Sequence, residues 1–407
     1  MTTINVDIAI LGAGMTGASL VHLLRPALAQ GLTIALLDRQ ALQWQGDVQS
    51  RPPSFDGRAT ALSFGTQQLL DRLGVWSTVA SSACAIEHIQ VSDQQRFGQT
   101  HLHASEQGVE ALGYVIENAQ LGAGLLNPLR NLSGVQCLAP SAVDHVQMNE
   151  QGAYLRLNDG RTVQATLLVM ADGGRSPLAQ QLGITYQRQS YGTHALVTQV
   201  ESLQAHDGWA YERFSREGPI AFLPLSSHQY AVVWTLNNDV VDDVLALDDA
   251  TFLARLQQQI GHRVGRLQSV GERLSYPLAL VTSTEQVRRS LVLLGNAAHS
   301  LHPVAGQGFN LAMRDCARLA EHILDQVRRG GQVGDLAMLQ RYQQAQASDQ
   351  RNTIAASDVL PKLFASDRGL LALARDGGLI AMSALPTARR LFARHAMGLG
   401  QKATQIG

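Results

Sequence analysis

The sequence predicts an α/β protein in which a doubly wound, Rossmann-like domain carries an inserted β-sheet domain and is followed by a C-terminal helical region. Three observations lead to this prediction. The first forty residues follow the order strand, glycine turn, helix, strand, and residues 190–280 are rich in strand-like segments. Beyond Pro361 the chain alternates apolar and basic residues, as amphipathic helices do.

The first element, "VDIAILGAGMTGASLVHLL", begins as a buried strand and continues as an apolar helix from about Met15. Between them Gly12, Gly14 and Gly17 form a G-x-G-x-x-G turn that also contains Ala13. The first glycine allows the turn, the second lets a phosphate approach the backbone, and the third lets the helix pack closely on the strand. We therefore expect a pyrophosphate at the helix N-terminus.

A second strand begins at Thr33 and ends at Asp38, whose carboxylate can accept hydrogen bonds from an adenosine ribose. An acidic residue here disfavours a 2′-phosphate, which points to FAD or NAD and away from NADP. The fingerprint alone does not choose between those two. Because it occurs only once, a second dinucleotide would have to bind without its own nucleotide-binding fold.

The charge balance disfavours nucleic acid as a partner. The 407-residue chain has 32 Lys plus Arg against 33 Asp plus Glu, so it lacks the broad positive field that nucleic-acid binding uses. A small molecule is the expected ligand.

Cysteine and histidine usage predicts neither a disulfide framework nor a metal site. Cys84, Cys137 and Cys316 are odd in number and widely spaced, and His101 and His103 lack a third ligand. No basic leader precedes the first strand, and no stretch approaches the roughly 18 apolar residues of a spanning helix. We expect a cytoplasmic protein that is soluble or attached peripherally to the inner membrane.

The order of strand and helix patterns suggests domain boundaries. Residues 1–184 and 281–355 are predicted to form the nucleotide-binding domain, and residues 185–280 a β-rich substrate domain that also takes chain from about 78–110. Residues 356–407 form the predicted C-terminal helical region.

A second glycine-bearing turn lies in "GNAAHSLHPVAGQGFNLAMRD", from Gly295 to Asp315. Gly306, Gln307 and Gly308 directly precede a helical segment, so their N–H groups and the helix N-terminus can face a bound group. The alternative is that these residues only cap a helix after a loop.

Three motifs, in order, resemble a known family: "GAGMTG", "MADGGRSPL" and "GNAAHSLHPVAGQGFNLAMRD". Over about residues 4–365 the chain resembles the single-component FAD-dependent aromatic hydroxylases related to para-hydroxybenzoate hydroxylase. The segments "SFDGRATALS", "YERFSREGPIAFLPL" and "HPVAGQGFN" are most similar to the ubiquinone-biosynthesis branch, the 2-polyprenyl-6-methoxyphenol hydroxylases in particular.

The resemblance implies how FAD is held. The first glycine turn and Asp38 would bind the ADP half, and the second turn would bind the flavin. The further cofactor positions that it implies are Arg58, Asn118, Asp172, Asn296, Gly306, Gln307, Gly308 and Asn310. Two residues depart from the family pattern: Asn296 stands where relatives have Asp, and Ala179 where they commonly have Arg.

The resemblance also implies the reaction. NAD(P)H would reduce FAD, and O2 would form a flavin C4a-hydroperoxide that hydroxylates a polyprenylated phenol. Pro303 would lie over the ring, and His302 is the candidate for direct acid–base work, with His299 in support. The candidate apolar wall for the substrate is the segment around Phe214, Phe222, Leu223 and Pro224, which are equally explained as ordinary core.

Two other functions are compatible with these motifs. One is a non-catalytic, flavin-bearing subunit in an assembly with other quinone-biosynthesis proteins. The other is a different FAD-dependent oxidoreductase of the same fold, such as a reductase or halogenase. The segment after Pro361 is either an amphipathic element that contacts a membrane surface or a helical pair that covers the core.

Overall fold

The computed structural model describes residues 2–42, 58–94, 99–174, 177–215, 217–301, 306–365 and 386–399. Its helices are α1 (Met15–Leu23), α2 (Arg25–Leu28), α3 (Phe64–Arg72), α4 (Trp76–Val79), α5 (Ala104–Gln107), α6 (Asn118–Leu126), α7 (Leu178–Gln181), α8 (Val241–Leu245), α9 (Asp249–Ile260), α10 (Gln307–Arg328), α11 (Leu336–Ala365) and α12 (Pro386–Ala396).

The strands are β1 (Thr3–Leu11), β2 (Ile34–Leu37), β3 (Ala59–Ser63), β4 (Ala83–Ile86), β5 (His88–Asp93), β6 (Gln99–His103), β7 (Gly113–Glu117), β8 (Val135–Leu138), β9 (Val143–Asn149), β10 (Gly152–Leu157), β11 (Thr162–Met170), β12 (Tyr186–Ser202), β13 (Trp209–Phe214), β14 (Pro219–Ser226), β15 (Gln229–Asn237), β16 (Leu267–Val270), β17 (Leu274–Ser283), β18 (Val287–Arg288), β19 (Leu291–Leu293) and β20 (His299–Ser300).

The first sheet has the order β18-β19-β11-β1-β2-β8, with β10 and β9 added beside β11. Its central strand β1 is covered on both faces. Ile8 and Ile10 lie in a core shared with α1, α6 and α10, whereas Ala9 and Leu11 lie in a second core with β10 and α7. Burial on both sides explains why this strand is apolar at successive positions.

The parallel strands of this sheet end together. Leu11 at the end of β1 pairs with Leu37 of β2 and Met170 of β11, and Met170 pairs with Leu293 of β19. The segments that follow these four strands therefore emerge at one edge of the sheet, where open α/β sheets bind ligands.

The second sheet has the order β20-β17-β12-β15-β14-β13-β5-β6, with β16 beside β12. One face packs against α8 and α9 through a core that includes Phe222, Tyr230 and Trp234. The opposite face is turned toward the edge of the first sheet. A third sheet, β3-β7-β4, completes the β structure described.

The C-terminal helices pack against the two larger parts of the fold. Helix α10 packs on α1 and α11, and α11 continues unbroken to Ala365, past residue 356 where a separate region was expected to begin. Ala393 and Met397, in and just after α12, pack with Leu102 and Leu112. None of the described helices is long and apolar enough to cross a bilayer.

Candidate active site

The first glycine turn brings backbone directly against backbone. Gly12 has φ +99°, and a Cβ there would lie 2.6 Å from Ala171 O. A Cβ on Gly17 would overlap Gly12 O and lie 3.2 Å from Ile10 Cγ2. Helix α1 then begins at Met15 with no described side chain capping it, so its first N–H groups are available to an anion.

The Asp38 carboxylate holds this turn in place. Its Oδ2 accepts from the Ala13 N–H at 2.9 Å, and its Oδ1 accepts from the Gln40 N–H at 2.9 Å. A carboxylate has about four lone-pair sites, so acceptor capacity remains for ribose hydroxyls. The sequence predicted the acceptor but not its contact with Ala13.

The three motifs converge on the edge of the first sheet. A Cβ on Gly295 would lie 2.8 Å from Thr16 Oγ1, which places the third motif against α1. A Cβ on Gly174 would lie 3.5 Å from Asn296 O, which places the second motif against the third. Segments far apart in the chain thus form one site.

Asp172 has an unsatisfied buried oxygen in this site. Its Oδ1 accepts from the Gly174 N–H at 3.1 Å, but no described residue donates to its buried Oδ2. A buried acceptor without a partner is costly, and a ligand hydroxyl would satisfy it.

Arg58 and Asn118 line the same cavity from the side of the third sheet. The Arg58 guanidinium lies 4.8 Å from the centre of the Tyr276 ring. Asn118 is buried at the start of α6, and its Oδ1 accepts from Thr60 Oγ1 at 2.5 Å.

The second glycine turn is held by Asn310. Its Nδ2 donates to Ala61 O and Gly306 O, both at 2.9 Å, while its Oδ1 accepts from the Ser63 N–H at 2.8 Å. These bonds fix β3 to the start of α10, where Gly306 has a left-handed φ of +60°. Asn310 therefore shapes the turn, while Asn296 is exposed to the cavity. His302 and Pro303 lie outside the described residues.

His299 is buried beside this turn. Its Nε2 donates to Asp315 Oδ2 at 2.7 Å, and Asp315 Oδ1 accepts from Gln350 Nε2 at 3.0 Å. Through these two bonds the fully buried Asp315 carboxylate of α10 connects His299 of β20 with Gln350 of α11. Sequence reasoning placed His299 in a supporting role but did not identify its partner.

A single cavity of about 890 Å³ joins these groups to the second sheet. Its sheet wall contains Phe214 and Leu223 but neither Phe222 nor Pro224, which point to the opposite face. Phe222 is fully buried, with its ring 5.6 Å from that of Tyr230. The residues of the sheet that line the cavity are Ile89, Val91, Leu102, Val197, Ala210, Tyr211, Glu212, Phe214, Ala221, Leu223, Val233 and Ser300.

Among the wall residues that sequence reasoning missed, Glu212 is the one with an acidic side chain. The segment "WAYERF" contained the pattern that could have identified it. Alternate residues of a strand share one face, so Glu212 lies on the same face as Ala210 and Phe214.

Neither a metal centre nor a disulfide is found among the described residues. They contain no group of three His, Cys, Asp or Glu side chains arranged to hold a metal ion. All three cysteines are free.

The close glycine contacts, the open start of α1 and the unsatisfied Asp172 oxygen fit a dinucleotide that extends from Asp38 to Gly306. Residues 5–355 match the family described as FAD binding domain. The chain belongs to this FAD-binding family. Its matched region takes in all three motifs and both large sheets.

Individual relatives agree with this assignment. The chain is 36% identical to ubiquinone hydroxylase UbiL of Rhodospirillum rubrum over 96% of this chain and 89% of that protein. It is 27% identical to ubiquinone hydroxylase UbiM of Neisseria meningitidis over 96% and 84%. The p-nitrophenol 4-monooxygenase PnpA of Pseudomonas putida has the same fold, with a TM-score of 0.79, 15% identity and coverage of 99% and 100%.

Proposed function

We propose that this FAD-binding protein is a monooxygenase that uses NAD(P)H and O2 to hydroxylate a polyprenylated phenol in ubiquinone biosynthesis. The observation that carries the proposal is the continuous cavity, which connects the three FAD motifs to an apolar sheet face. The ubiquinone hydroxylases UbiL and UbiM, similar over nearly the whole chain, support the same reaction class.

Each motif would hold a different part of the cofactor. The start of α1 would bind the pyrophosphate, Asp38 the ribose, and Asp172 and Asn296 the hydroxyl-bearing chain. The N-terminus of α10, with Gln307 and Gly308, would favour negative charge at the flavin. When bound, FAD supplies the electron transfer and oxygen activation that side chains do not provide.

The sheet wall would orient the aromatic ring and exclude water. Val91, Phe214, Leu223 and Val233 give this wall an apolar surface, which limits competing reactions with solvent. Beyond the wall the cavity reaches Phe392 of α12. We assign this apolar end to the prenyl tail.

The proposal is tested with FAD-loaded protein, NADPH or NADH, ¹⁸O2 and a short-chain 2-prenylphenol. We expect the phenol to stimulate NAD(P)H oxidation and mass spectrometry to detect a product carrying one ¹⁸O atom. Tight FAD binding without stimulated oxidation or product, across several prenylphenols, would contradict it. That result would favour a non-catalytic flavin-bearing subunit.

A membrane surface is the proposed source of such a substrate. Helix α12 lines the cavity with Phe392 and Ala396, while Arg390, Leu391 and Arg394 on the same helix are exposed. Leu391 leaves 66% of its surface exposed, as an element that contacts lipid would.

Reversing one of these charges should weaken membrane binding. Each Arg near an anionic surface contributes about 1 kcal/mol, so Arg390→Glu should bind phosphatidylglycerol vesicles at least about fivefold more weakly in co-sedimentation. Arg156→Glu, at an exposed position on β10, provides the matched charge reversal and should bind like the wild type. Equal losses in both variants would show that only net charge matters.

A further inference from the structure

Strand β13 places an acidic side chain in the apolar wall of the cavity. Glu212 pairs with Val91 of β5 on one side and Ala221 of β14 on the other, and Ala221 pairs with Val233 of β15. Paired residues face the same side of a sheet, and all four line the cavity. Glu212 is therefore a half-buried acid on the cavity side of the sheet, and its directly paired neighbours there are apolar.

Within the described part of the chain, the Glu212 carboxylate is not paired with another side chain. No described residue forms a hydrogen bond or ion pair with it, and burial raises the pKa of this group to about 7. A buried carboxylate without a partner destabilises the fold, and such groups concentrate at functional sites.

The other ionisable groups around the cavity lie elsewhere. On its own strand, Tyr211 also borders the cavity, whereas the neighbouring Arg213 is buried. On β5, Asp93 lies two residues beyond Val91, and β14 and β15 contribute only apolar neighbours to this face. The remaining ionisable residues that line the cavity come from the first sheet and the loops: Asp38, Arg39, Arg58, Asp144 and Asp172.

We propose that Glu212 is the catalytic base that accepts the proton of the substrate's phenolic hydroxyl. The inference rests on the proposed function and names a residue for its chemistry. Its basis is the position of a carboxylate in the cavity wall, where its cross-strand neighbours Val91 and Ala221 are apolar. Sheet residues two apart on the same face, Ala210 and Phe214, would contact the ring.

The proton of the phenol moves to Glu212 after oxygen has been transferred to the ring. Transfer of oxygen to the ring leaves positive charge on the hydroxyl oxygen. The O–H bond of the phenol then breaks, its electron pair stays on the ring oxygen, and an O–H bond forms on Glu212. To regain aromaticity, the C–H bond at the hydroxylated carbon breaks, its electron pair returns to the ring and its proton leaves to water, while the proton held by Glu212 returns to the ring oxygen. A base with a pKa near the working pH is suited to this exchange, whereas an exposed Glu, with a pKa of about 4.3, is a much weaker base.

Kinetics of Glu212→Gln provide the first test. Hydroxylation by the wild type should fall as the pH drops below about 7, because the carboxylate becomes protonated. The Gln variant should lose this acid limb and about 10²-fold in kcat for product, while phenol-stimulated NAD(P)H oxidation continues and releases hydrogen peroxide. Glu212→Asp should restore part of the rate, and Glu272→Gln, at an exposed position, should behave like the wild type.

A second readout does not depend on turnover. Infrared difference spectra of the FAD-loaded protein should show the C=O band of a protonated carboxyl that titrates near pH 7. This band should be absent from Glu212→Gln and present in Glu272→Gln. FAD content and thermal stability, measured for every variant, show whether each one is folded.

The outcomes separate the two proposals. If the wild type hydroxylates the phenol and Glu212→Gln does so at the same rate with the same acid limb, Glu212 is not the base and the monooxygenase assignment stands. If the FAD-loaded wild type yields no hydroxylated product, the proposed function fails and the role of Glu212 fails with it, whatever the infrared band shows.

Discussion

Gly17→Ala should release FAD and destabilise the fold by about 3 kcal/mol, the upper range for overpacked cores. The added Cβ would overlap Gly12 O and approach Ile10 Cγ2 at 3.2 Å. Because one of these contacts is to backbone, no change of rotamer relieves it, and α1 must move away from β1. The N–H groups at the start of α1 would then lose their position. Urea unfolding and the flavin absorbance of the purified protein measure the two effects.

Ser19→Ala is the matched control on the same helix. Ser19 is fully buried, and its Oγ has no described hydrogen-bond partner. Removing this hydroxyl should leave stability and FAD content close to the wild type. A Gly17→Ala protein that is as stable and as yellow as this control would refute the close packing of helix on strand.

His299→Leu should also destabilise the protein strongly, by about 3–5 kcal/mol. The substitution removes the donor 2.7 Å from Asp315 Oδ2, and the Asp315 carboxylate is fully buried. Leaving a buried charge without this partner costs more than losing an ordinary hydrogen bond. Unfolding free energies in urea near neutral pH provide the measurement.

A double-mutant cycle identifies the cause of this loss. Adding Asp315→Asn to His299→Leu removes the buried charge, while an amide oxygen can still accept from Gln350 Nε2. The double variant should therefore be more stable than His299→Leu alone. If the two are equally unstable, the loss comes from the shape of the leucine and not from the charge.

The sequence predicted the parts of the site that depend on local order. Strand β1, the glycine turn and α1 are consecutive in the chain, so a local pattern predicts their order, and Asp38 directly follows β2. The family assignment and the α/β fold are confirmed by the match over residues 5–355.

The parts of the site that depend on tertiary packing could not be predicted from local sequence patterns. Strand β14 is apolar on both faces, so its sequence does not separate Leu223, which faces the cavity, from Phe222, which faces the core. The hydrogen bonds of Asn310 to β3 join residues about 250 positions apart, which no local pattern predicts. The continuity of α11 past residue 356 was likewise not indicated by its composition.

The three hydrogen bonds of Asn310 have a thermodynamic consequence. Because they lie entirely within the polypeptide, the turn at the start of α10 has its final shape before any ligand arrives. Binding of the flavin then costs little conformational entropy for ordering this backbone, so more of the interaction free energy contributes to affinity. Apoprotein prepared by removing the flavin should therefore remain a competent receptor that recaptures it without refolding.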